Sequence, residues 1–393
     1  MLLLYKHVTT FKNTAMRVAL QKIIRMNLLS PVKIGSLELK NRMVMAPMTR
    51  SRANQSGEVG DSTVVYYAQR SSAGLIISEA INISEQATGS LFTPGIYTKD
   101  QINAWKRVTS EVHKRDGKIF AQLWHTGRVG HSQVKQGRQP VAPSPIAIQG
   151  QQHFTLQGMS DYEVPKALEI DEIPQIIEDY KQAALNSITA GFDGVELHSA
   201  FGYLPNQFLA ESSNQRNDEY GGSIENRNRF VIEVLRSMVN AIGPNKVAVR
   251  ISPTSTYNNI VHDNPLAQFL PLVKELNQLS LAYVHIMNVP FPAEKFPNYP
   301  NDSVEEIGKY TNHPVIANCG YTQETGEATL AKGIADLISF GTLFLANPDL
   351  PKRFELGSAL NEADRSTMYG GQDKGYIDYP FLHEPLHSWK RST

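Results

Sequence analysis

Residues 170–204 read IDEIPQIIEDYKQAALNSITAGFDGVELHSAFGYL and contain one helix followed by one strand. Apolar residues recur at three- and four-residue spacing from Ile170 to Ala190, and this spacing predicts an amphipathic helix. A short apolar run follows at Gly194–Leu197 and predicts a buried strand. A helix that leads directly into a buried strand is typical of a parallel sheet covered by helices.

The same alternation continues along the rest of the chain after Met26. Amphipathic patterns predict four further helices, at Thr98–Asp116, Glu225–Ile242, Leu266–Leu279 and Gln323–Lys332. Including Gly194–Leu197, short apolar runs predict eight strands, at Arg42–Pro47, Leu75–Glu79, Lys118–Leu123, Gly194–Leu197, Val247–Ile251, Tyr283–Ile286, Val315–Ala317 and Leu337–Phe340. Eight parallel strands close a barrel, so the sequence predicts one α/β domain at residues 26–390 with the (β/α)8 TIM-barrel fold.

One connection, after the third strand, is much longer than the others. Between Leu123 and the helix that begins near Ile170, the chain contains Pro140, Pro143 and Pro145 and then a Gln-rich stretch without helical spacing. A connection of this length in a compact domain commonly carries function or closes a site, so we expect it to cover the barrel mouth. The motifs GxGxxG and GxxxxGK[ST] do not occur, which disfavours a doubly wound nucleotide-binding fold.

The composition excludes several classes of protein. The 38 Lys and Arg residues balance the 38 Asp and Glu residues, and no basic stripe occurs, so we expect no nucleic-acid partner. A single cysteine, Cys319, cannot form an intramolecular disulfide, and no zinc-binding spacing occurs. No apolar run approaches the roughly 18 residues that a membrane helix needs. We therefore expect a cytoplasmic protein without a structural metal and without a membrane span.

Residues 1–25 differ in composition from the rest of the chain. They contain five Lys or Arg residues and no acidic residue. We expect an N-terminal extension that is disordered or that precedes the true start of the protein. The acid-poor composition leaves a transit peptide or a surface-binding helix as the alternative.

Polar residues follow the predicted strands at their C-terminal ends, where barrels carry function. Thr49, Gln122 and Arg250 follow or end the first, third and fifth strands. A hydroxyl, an amide and a guanidinium suit a planar heterocycle with carbonyl and imide edges, and the guanidinium favours an anionic form of that ring. A flavin has this shape and an anionic reduced form. The loops at Asn318–Gly320 and Phe340–Thr342 follow strands seven and eight, where barrels commonly bind a phosphate.

Six motifs resemble the Old Yellow Enzyme family, and among its branches they are most similar to the bacterial N-ethylmaleimide reductases. They are NR (41–42) with APMTRSR (46–52), QLWHTGR (122–128), GVELH (194–198) with GY (202–203), DEYGGSIENR (218–227), ANPDL (346–350) and GYIDYP (375–380). The resemblance extends from Met26 to about Pro380. It implies an oxidoreductase in which NADPH or NADH reduces FMN, and the flavin then reduces electron-poor alkenes such as enones, maleimides, quinones and nitro compounds. We expect a small-molecule substrate and a monomer or homodimer.

The resemblance also assigns roles to individual residues. His198 matches the donor to the substrate's activating oxygen, where negative charge builds as hydride arrives, and Tyr203 matches the acid that protonates the α-carbon. The matching flavin contacts are Pro47, Thr49, Ala73, Gln122 and Arg250 for the ring and ribityl chain, with Asn318, Gly320, Gly341 and Thr342 at the phosphate end. The matching walls of the substrate pocket are Trp124, Phe201 and Tyr369.

Three positions depart from the family pattern. Phe201 stands where the family usually has a second donor, Asn or His, to the activating oxygen. At the phosphate end, Thr342 stands where the family usually has Arg, and Cys319 where a Gly lets the backbone approach the ligand. Two hypotheses therefore remain. The chain is either an active flavin oxidoreductase with an altered substrate range, or a barrel that has lost turnover or flavin and binds a small molecule.

Overall fold

The computed structural model describes residues 27–383. The expectations for residues 1–25 lie outside this range. Its strands are β1 (Val32–Ile34), β2 (Leu37–Leu39), β3 (Met43–Met45), β4 (Leu75–Asn82), β5 (Ile119–Trp124), β6 (Val141–Ala142), β7 (Gln152–Thr155), β8 (Gly158–Asp161), β9 (Lys166–Ala167), β10 (Gly194–Ser199), β11 (Val247–Ile251), β12 (Val284–Met287), β13 (Val315–Asn318) and β14 (Leu337–Phe340). Its α-helices are α1 (Asp61–Gln69), α2 (Lys99–His113), α3 (Ile173–Thr189), α4 (Leu204–Leu209), α5 (Ile224–Ile242), α6 (Pro265–Leu276), α7 (Ser303–Gly308), α8 (Gln323–Ala331), α9 (Thr342–Ala346) and α10 (Leu350–Leu356).

The strands β3, β4, β5 and β10–β14 form a closed parallel barrel in chain order. Each strand pairs with the next along the chain, and β14 pairs with β3, so the sheet has no free edge. Helices connect successive strands on the outside. All eight predicted strands are present, and the predicted (β/α)8 fold is confirmed.

Local sequence signals set the helix boundaries. Thr98 accepts a hydrogen bond from the backbone N–H of Gln101, and the Gln101 side chain accepts one from the Thr98 backbone in return, so α2 begins with a capping box. The Ser223 side chain accepts a hydrogen bond from the backbone N–H of Asn226 and caps α5. These caps satisfy N–H groups that have no partner within the helix.

An apolar layer fills the barrel near the N-terminal ends of its strands. Phe120 and Tyr283 pack there with their ring centroids 5.5 Å apart. Ile34 and Leu39 of the β1–β2 hairpin belong to the same buried cluster, so the hairpin closes this end of the barrel. The opposite end, at the C-terminal ends of the strands, is therefore the one that can accept a ligand.

The long connection between β5 and α3 contains two small sheets that the sequence pattern did not predict. The strands β6 and β9 form a short parallel pair, and β7 and β8 form an antiparallel hairpin. Within residues 27–383 no helix is long and apolar enough to cross a membrane. In the same range no group of three or more His, Cys, Asp or Glu side chains is placed to hold a metal ion.

Candidate active site

A cavity of about 1190 Å³ lies at the C-terminal ends of the barrel strands. No Asp, Glu or Lys occurs among the described residues that line it. Thirteen of the fourteen predicted site residues line this one cavity: Pro47, Thr49, Gln122, Trp124, His198, Phe201, Tyr203, Arg250, Asn318, Gly320, Gly341, Thr342 and Tyr369.

Ala73 is the exception, and the structure corrects its assignment. Ala73 precedes β4, at the end of that strand that faces away from the cavity. Its side chain is fully buried in the apolar core, and its backbone N–H donates to the carbonyl of Arg70. The expected contact with a flavin is wrong because a whole strand, Leu75–Asn82, separates Ala73 from the cavity.

A hydrogen-bonded chain of three buried side chains runs through the barrel interior beside the cavity. The Gln122 Nε2 donates to Glu196 Oε1 at 2.8 Å, and Glu196 Oε2 lies 2.9 Å from His285 Nδ1. Glu196 and His285 are fully buried. Burial lowers the pKa of His285, so the imidazole is neutral and donates its Nδ1 proton to the carboxylate.

Arg250 is held in place by a second chain of hydrogen bonds. Its Nη2 donates to Asn318 Oδ1 at 2.8 Å, and Asn318 Nδ2 donates in turn to the backbone carbonyl and the hydroxyl of Ser339. The Arg250 Nε is buried and has no partner. A buried guanidinium with a free N–H costs free energy unless a ligand accepts from it, so this N–H is a candidate ligand contact.

His198, Tyr203 and Trp124 form an aromatic cluster in the wall of the cavity. The ring centroids of His198 and Tyr203 are 4.7 Å apart, and those of Trp124 and Tyr203 are 4.8 Å apart. Trp124 is oriented by its Nε1, which donates to Asn82 Oδ1 at 2.7 Å. The His198 Nδ1 is buried without a partner. His198 and Tyr203 are therefore adjacent, and a ring nitrogen of His198 is available to a ligand.

Burial sets the protonation states of these two groups. It lowers the pKa of His198 well below its usual value, and the positive charge of Arg250 lowers it further. It raises the pKa of Tyr203 far above that of a free phenol. At neutral pH His198 is therefore a neutral imidazole and Tyr203 carries its proton.

Phe201 occupies a turn that a glycine adopts more easily. Its φ is +54°, in the left-handed region. Its backbone N–H donates to Ser252 Oγ, and its carbonyl accepts from Asn258 Nδ2. Its ring lies 6.4 Å from that of His198 and 6.0 Å from that of Tyr257, measured between centroids. The hydrogen bonds with Ser252 and Asn258 thus fix the turn. The Phe201 ring forms an aromatic wall beside His198.

The loops expected to hold a phosphate combine backbone strain with a missing charge. Cys319 has a φ of +95°, and the following Gly320 has a φ of +76°. A non-glycine residue there costs of order 1–3 kcal/mol. Thr342 begins α9 and contributes a hydroxyl. The only described cations that line the cavity are Arg50 and Arg250, which lie in the loop after β3 and in β11, outside the two phosphate loops.

The cavity mouth has an apolar rim that sequence reasoning missed. Phe92, Phe154, Met159 and Tyr257 all line it and are more than a third exposed. They come from the loop after β4, from the β7–β8 hairpin and from the short 3₁₀ turn at Tyr257–Asn259. No periodic pattern marks these residues, since each lies in a loop or an edge hairpin. The long connection does reach the mouth, as predicted.

The C-terminal segment closes another side of the mouth. The Arg50 guanidinium donates to the carbonyls of Met368 and Gly375 at 2.9 and 2.7 Å. Arg52 donates to the carbonyls of Thr367 and Gln372, among others. These bonds hold Tyr369 at the cavity mouth, where its side chain is 69% exposed.

The donor set fits a flavin. Arg250, whose Nε is free, Gln122, which keeps unused amide groups, and Thr49 with its hydroxyl all line the cavity. They match a planar ring with carbonyl and imide edges that becomes anionic on reduction. Gly320, Gly341 and Thr342 lie where the tail of a mononucleotide would extend.

Comparisons with known proteins agree with this fit. The sequence profile of the NADH:flavin oxidoreductase / NADH oxidase family matches residues 27–361. The chain is 44% identical over 362 residues to 12-oxophytodienoate reductase 1 from Oryza sativa subsp. japonica, covering 91% of this chain and 93% of that protein. Solved morphinone reductase shares 45% identity, with a TM-score of 0.87 over 92% of this chain and 98% of its own. The old yellow enzyme homologue from Zymomonas mobilis shares 42% identity, with a TM-score of 0.86 over 91% and 100% of the two chains.

The barrel, its cavity and these matches define a flavin-dependent oxidoreductase whose cofactors are FMN and NAD(P)H. A morphinone reductase variant with 46% identity to this chain was solved in complex with tetrahydroNAD. This chain belongs to the NADH:flavin oxidoreductase / NADH oxidase family, and the resemblance to the Old Yellow Enzymes is confirmed.

We expect Thr342→Arg to tighten FMN binding. A charge-assisted hydrogen bond to the phosphate contributes about 1.5–3 kcal/mol, so the Kd for FMN should fall by about tenfold to a hundredfold. Fluorescence titration of the apoprotein measures this Kd. Riboflavin lacks the phosphate and serves as the control ligand, and Thr342→Gln is the uncharged control variant. An unchanged Kd for FMN in Thr342→Arg would show that the phosphate does not lie at this loop.

Cys319→Gly should relieve backbone strain. The left-handed backbone costs a non-glycine residue of order 1–3 kcal/mol, and glycine's greater freedom in the unfolded chain offsets about 0.5–1 kcal/mol of the gain. We expect the free energy of unfolding to rise by about 1 kcal/mol, measured by urea denaturation. Cys319→Ala also removes the thiol but keeps the strain, so equal stability of the alanine and glycine variants would contradict this account.

Proposed function

We propose that this chain reduces the carbon–carbon double bond of uncharged, electron-poor alkenes. The observation that carries the proposal is the pairing of His198 and Tyr203, with ring centroids 4.7 Å apart, beside the donor set that fits a flavin. Bound FMN would supply the hydride chemistry that links NAD(P)H to the β-carbon of the alkene. The protein must then bind the activating group, stabilise its developing charge and supply a proton.

His198 is suited to hold the activating oxygen of the substrate. Its Nδ1 has no partner within the protein, and burial keeps the imidazole neutral. A neutral imidazole can donate one hydrogen bond to a carbonyl or nitro oxygen without bringing a full charge into the cavity. Negative charge grows on that oxygen as the β-carbon accepts hydride, so a fixed donor stabilises the transition state more than the bound substrate.

Tyr203 is suited to complete the addition. Burial raises the pKa of its phenol, so the proton remains on the oxygen at neutral pH. The ring packs edge-on against both Trp124 and His198, which fixes its position next to the bound activating group. Proton transfer from a positioned acid to the α-carbon then yields the saturated product.

The lining of the cavity supports an uncharged substrate. Phe92, Phe154, Met159 and Tyr257 lie at the mouth, and among the described residues that line the cavity none carries a carboxylate or an ammonium group. Enones, maleimides, quinones and nitro compounds combine an apolar body with one or two polar oxygens. The relatives named as reductases of 12-oxophytodienoate and morphinone support this class, and no comparison supports the alternative of a barrel without turnover.

The cellular setting completes the proposal. We infer a cytoplasmic enzyme, because its one cysteine forms no disulfide within the chain and because its electron donor is a pyridine nucleotide. We further propose that it acts as a monomer or homodimer on small molecules, without a nucleic-acid partner, since its formal net charge is zero.

His198 and Tyr203 should both act in the half-reaction with the alkene, but in different ways. Tyr203→Phe should leave flavin reduction by NAD(P)H nearly unchanged and slow reoxidation by cyclohexenone about 10²–10⁴-fold, because only the second step needs the proton. His198→Ala should weaken binding of phenolic ligands and also slow reoxidation. Anaerobic stopped-flow absorbance measures the two half-reactions separately. Equal losses in both half-reactions of Tyr203→Phe would contradict its role as the acid.

Phe201→Asn should broaden the substrate range. An amide beside His198 adds a second donor to the activating oxygen, which can contribute about 2.7–4 kcal/mol to the transition state. The gain should be largest for weakly activated enones, because nitroalkenes already disperse the developing charge. The measurement is the ratio of kcat/KM values for cyclohexenone and a nitroalkene. Phe201→Leu, which cannot donate, is the control; an equal rise in that variant would show that relief of crowding, and not hydrogen bonding, causes the effect.

A further inference from the structure

We infer that Glu196 and His285 act as a positioning pair that orients Gln122 and sets the reduction potential of the bound flavin. Neither side chain lines the cavity, and both are fully buried in the barrel interior. They act on the ligand through Gln122 and Arg250, which do line it. The inference rests on the proposed placement of the flavin ring at these two residues.

The strand register brings the pair beneath the cavity. Glu196 lies two residues before His198 on β10 and stands directly opposite Gln122 on β5. His285 stands opposite Arg250 on the neighbouring pair of strands, β11 and β12. The Glu196 carboxylate thus connects the third and sixth barrel strands, with one oxygen on Gln122 and the other on His285.

The chemistry of the carboxylate fixes the orientation of the Gln122 amide. An ionised carboxylate can only accept hydrogen bonds, so the amide must turn its NH₂ group toward Glu196. One N–H of Gln122 is then used, while its second N–H and its Oε1 remain for the cavity. A donor and an acceptor side by side match an imide edge, where a carbonyl oxygen adjoins an N–H group. The N–H at His285 Nδ1 donates to the other carboxylate oxygen, so both oxygens of Glu196 have a hydrogen-bond donor.

The same carboxylate balances the charge of Arg250. Glu196 is the acidic group that acts most strongly on the Arg250 guanidinium; Glu196 is fully buried, and Arg250, which lines the cavity, is only 4% exposed. Electrostatic interactions between buried groups are stronger than in water. With Glu196 ionised, the cavity floor has little net charge, and the reduced anionic flavin gains less from Arg250 than it would from an uncompensated guanidinium. Removal of the carboxylate charge should therefore favour the reduced flavin.

The test compares reduction potentials of FMN bound to the intact protein. Glu196→Gln is nearly isosteric, and we expect at least a tenfold increase in the ratio of the dissociation constants of oxidised and reduced FMN. For a two-electron couple, this ratio corresponds to a potential about 30 mV more positive. The flavin absorbance spectrum should shift as well, since the Gln122 amide is no longer fixed. Glu196→Asp keeps the charge and should return the ratio to within about threefold of wild type.

His285 provides an independent variant pair. His285→Leu removes the donor and leaves one oxygen of the buried Glu196 carboxylate without its partner, so the contact with Gln122 should be disturbed and the potential should differ from that of wild type. His285→Asn keeps a donor near the Nδ1 position and should remain close to wild type. Phe120→Leu disturbs the packing of the interior beneath the pair without changing its charge. We expect this control to lower stability and leave the potential unchanged.

The outcomes separate the inference from the proposed flavin placement. Unchanged potentials in both Glu196→Gln and His285→Leu, or the same shift in Phe120→Leu, would overturn the positioning role. Gln122→Leu tests the placement itself, because it should weaken FMN binding at least tenfold by fluorescence titration. If Gln122→Leu weakens binding while the Glu196 and His285 variants keep the wild-type potential, only the inference fails. If Gln122→Leu binds FMN as tightly as wild type, the placement fails.

Discussion

A carboxylate enclosed within the barrel must be hydrogen-bonded, and the candidate site is organised around this requirement. Glu196 has no access to water, and an unpaired charge in such a place costs several kcal/mol. Gln122 and His285 satisfy its two oxygens, while the nearby Arg250 supplies the opposite charge and is itself tied to Asn318. Each contact comes from a different barrel strand. The strand register of the closed sheet therefore determines which N–H groups, such as that of Arg250 Nε, have no partner in the protein and face the cavity.

The sequence predicted the barrel well because burial and helix spacing are local signals. The run at Gly194–Leu197 is the core of β10, and the other seven runs also became barrel strands. The positions of polar residues at the strand ends and the family resemblance together identified thirteen residues that line one cavity. Ala73 was assigned from the family resemblance alone, and the fold places it before β4, at the end of that strand that faces away from the cavity. Glu196 lay inside a predicted strand, but nothing in one sequence shows that a buried acid has partners on two other strands. Phe154 was missed because its hairpin has no periodic pattern.

Two of the three departures from the family pattern share a physical property. Phe201 and Cys319 both have positive φ angles, and each carries a side chain where the backbone favours glycine or a small polar residue. Contacts elsewhere must offset the cost of this backbone strain. Around Phe201, hydrogen bonds from its backbone to Ser252 and from Asn258 to its backbone do so. Phe201 and Cys319 lie at positions where this chain differs from the family, whereas His198, Tyr203 and Arg250 are the residue types that the family resemblance implies. The chain thus keeps the residue types proposed for the reacting groups and differs at the residues proposed to contact the substrate and the phosphate.

Arg50 and Arg52 donate hydrogen bonds to carbonyls of the C-terminal segment, and these bonds bear on where the C-terminal boundary of the domain is drawn. The family match stops at residue 361, and a boundary drawn there would separate Tyr369 from the cavity. Arg50 is fully buried, and it donates to carbonyls of residues 368 and 375. A chain cut at residue 361 would leave this guanidinium without those acceptors in a low-dielectric interior. Residues 367–375 therefore supply acceptors that the barrel loop at Arg50 needs, and we expect a proteolytic nick among them to affect both this loop and one wall of the pocket.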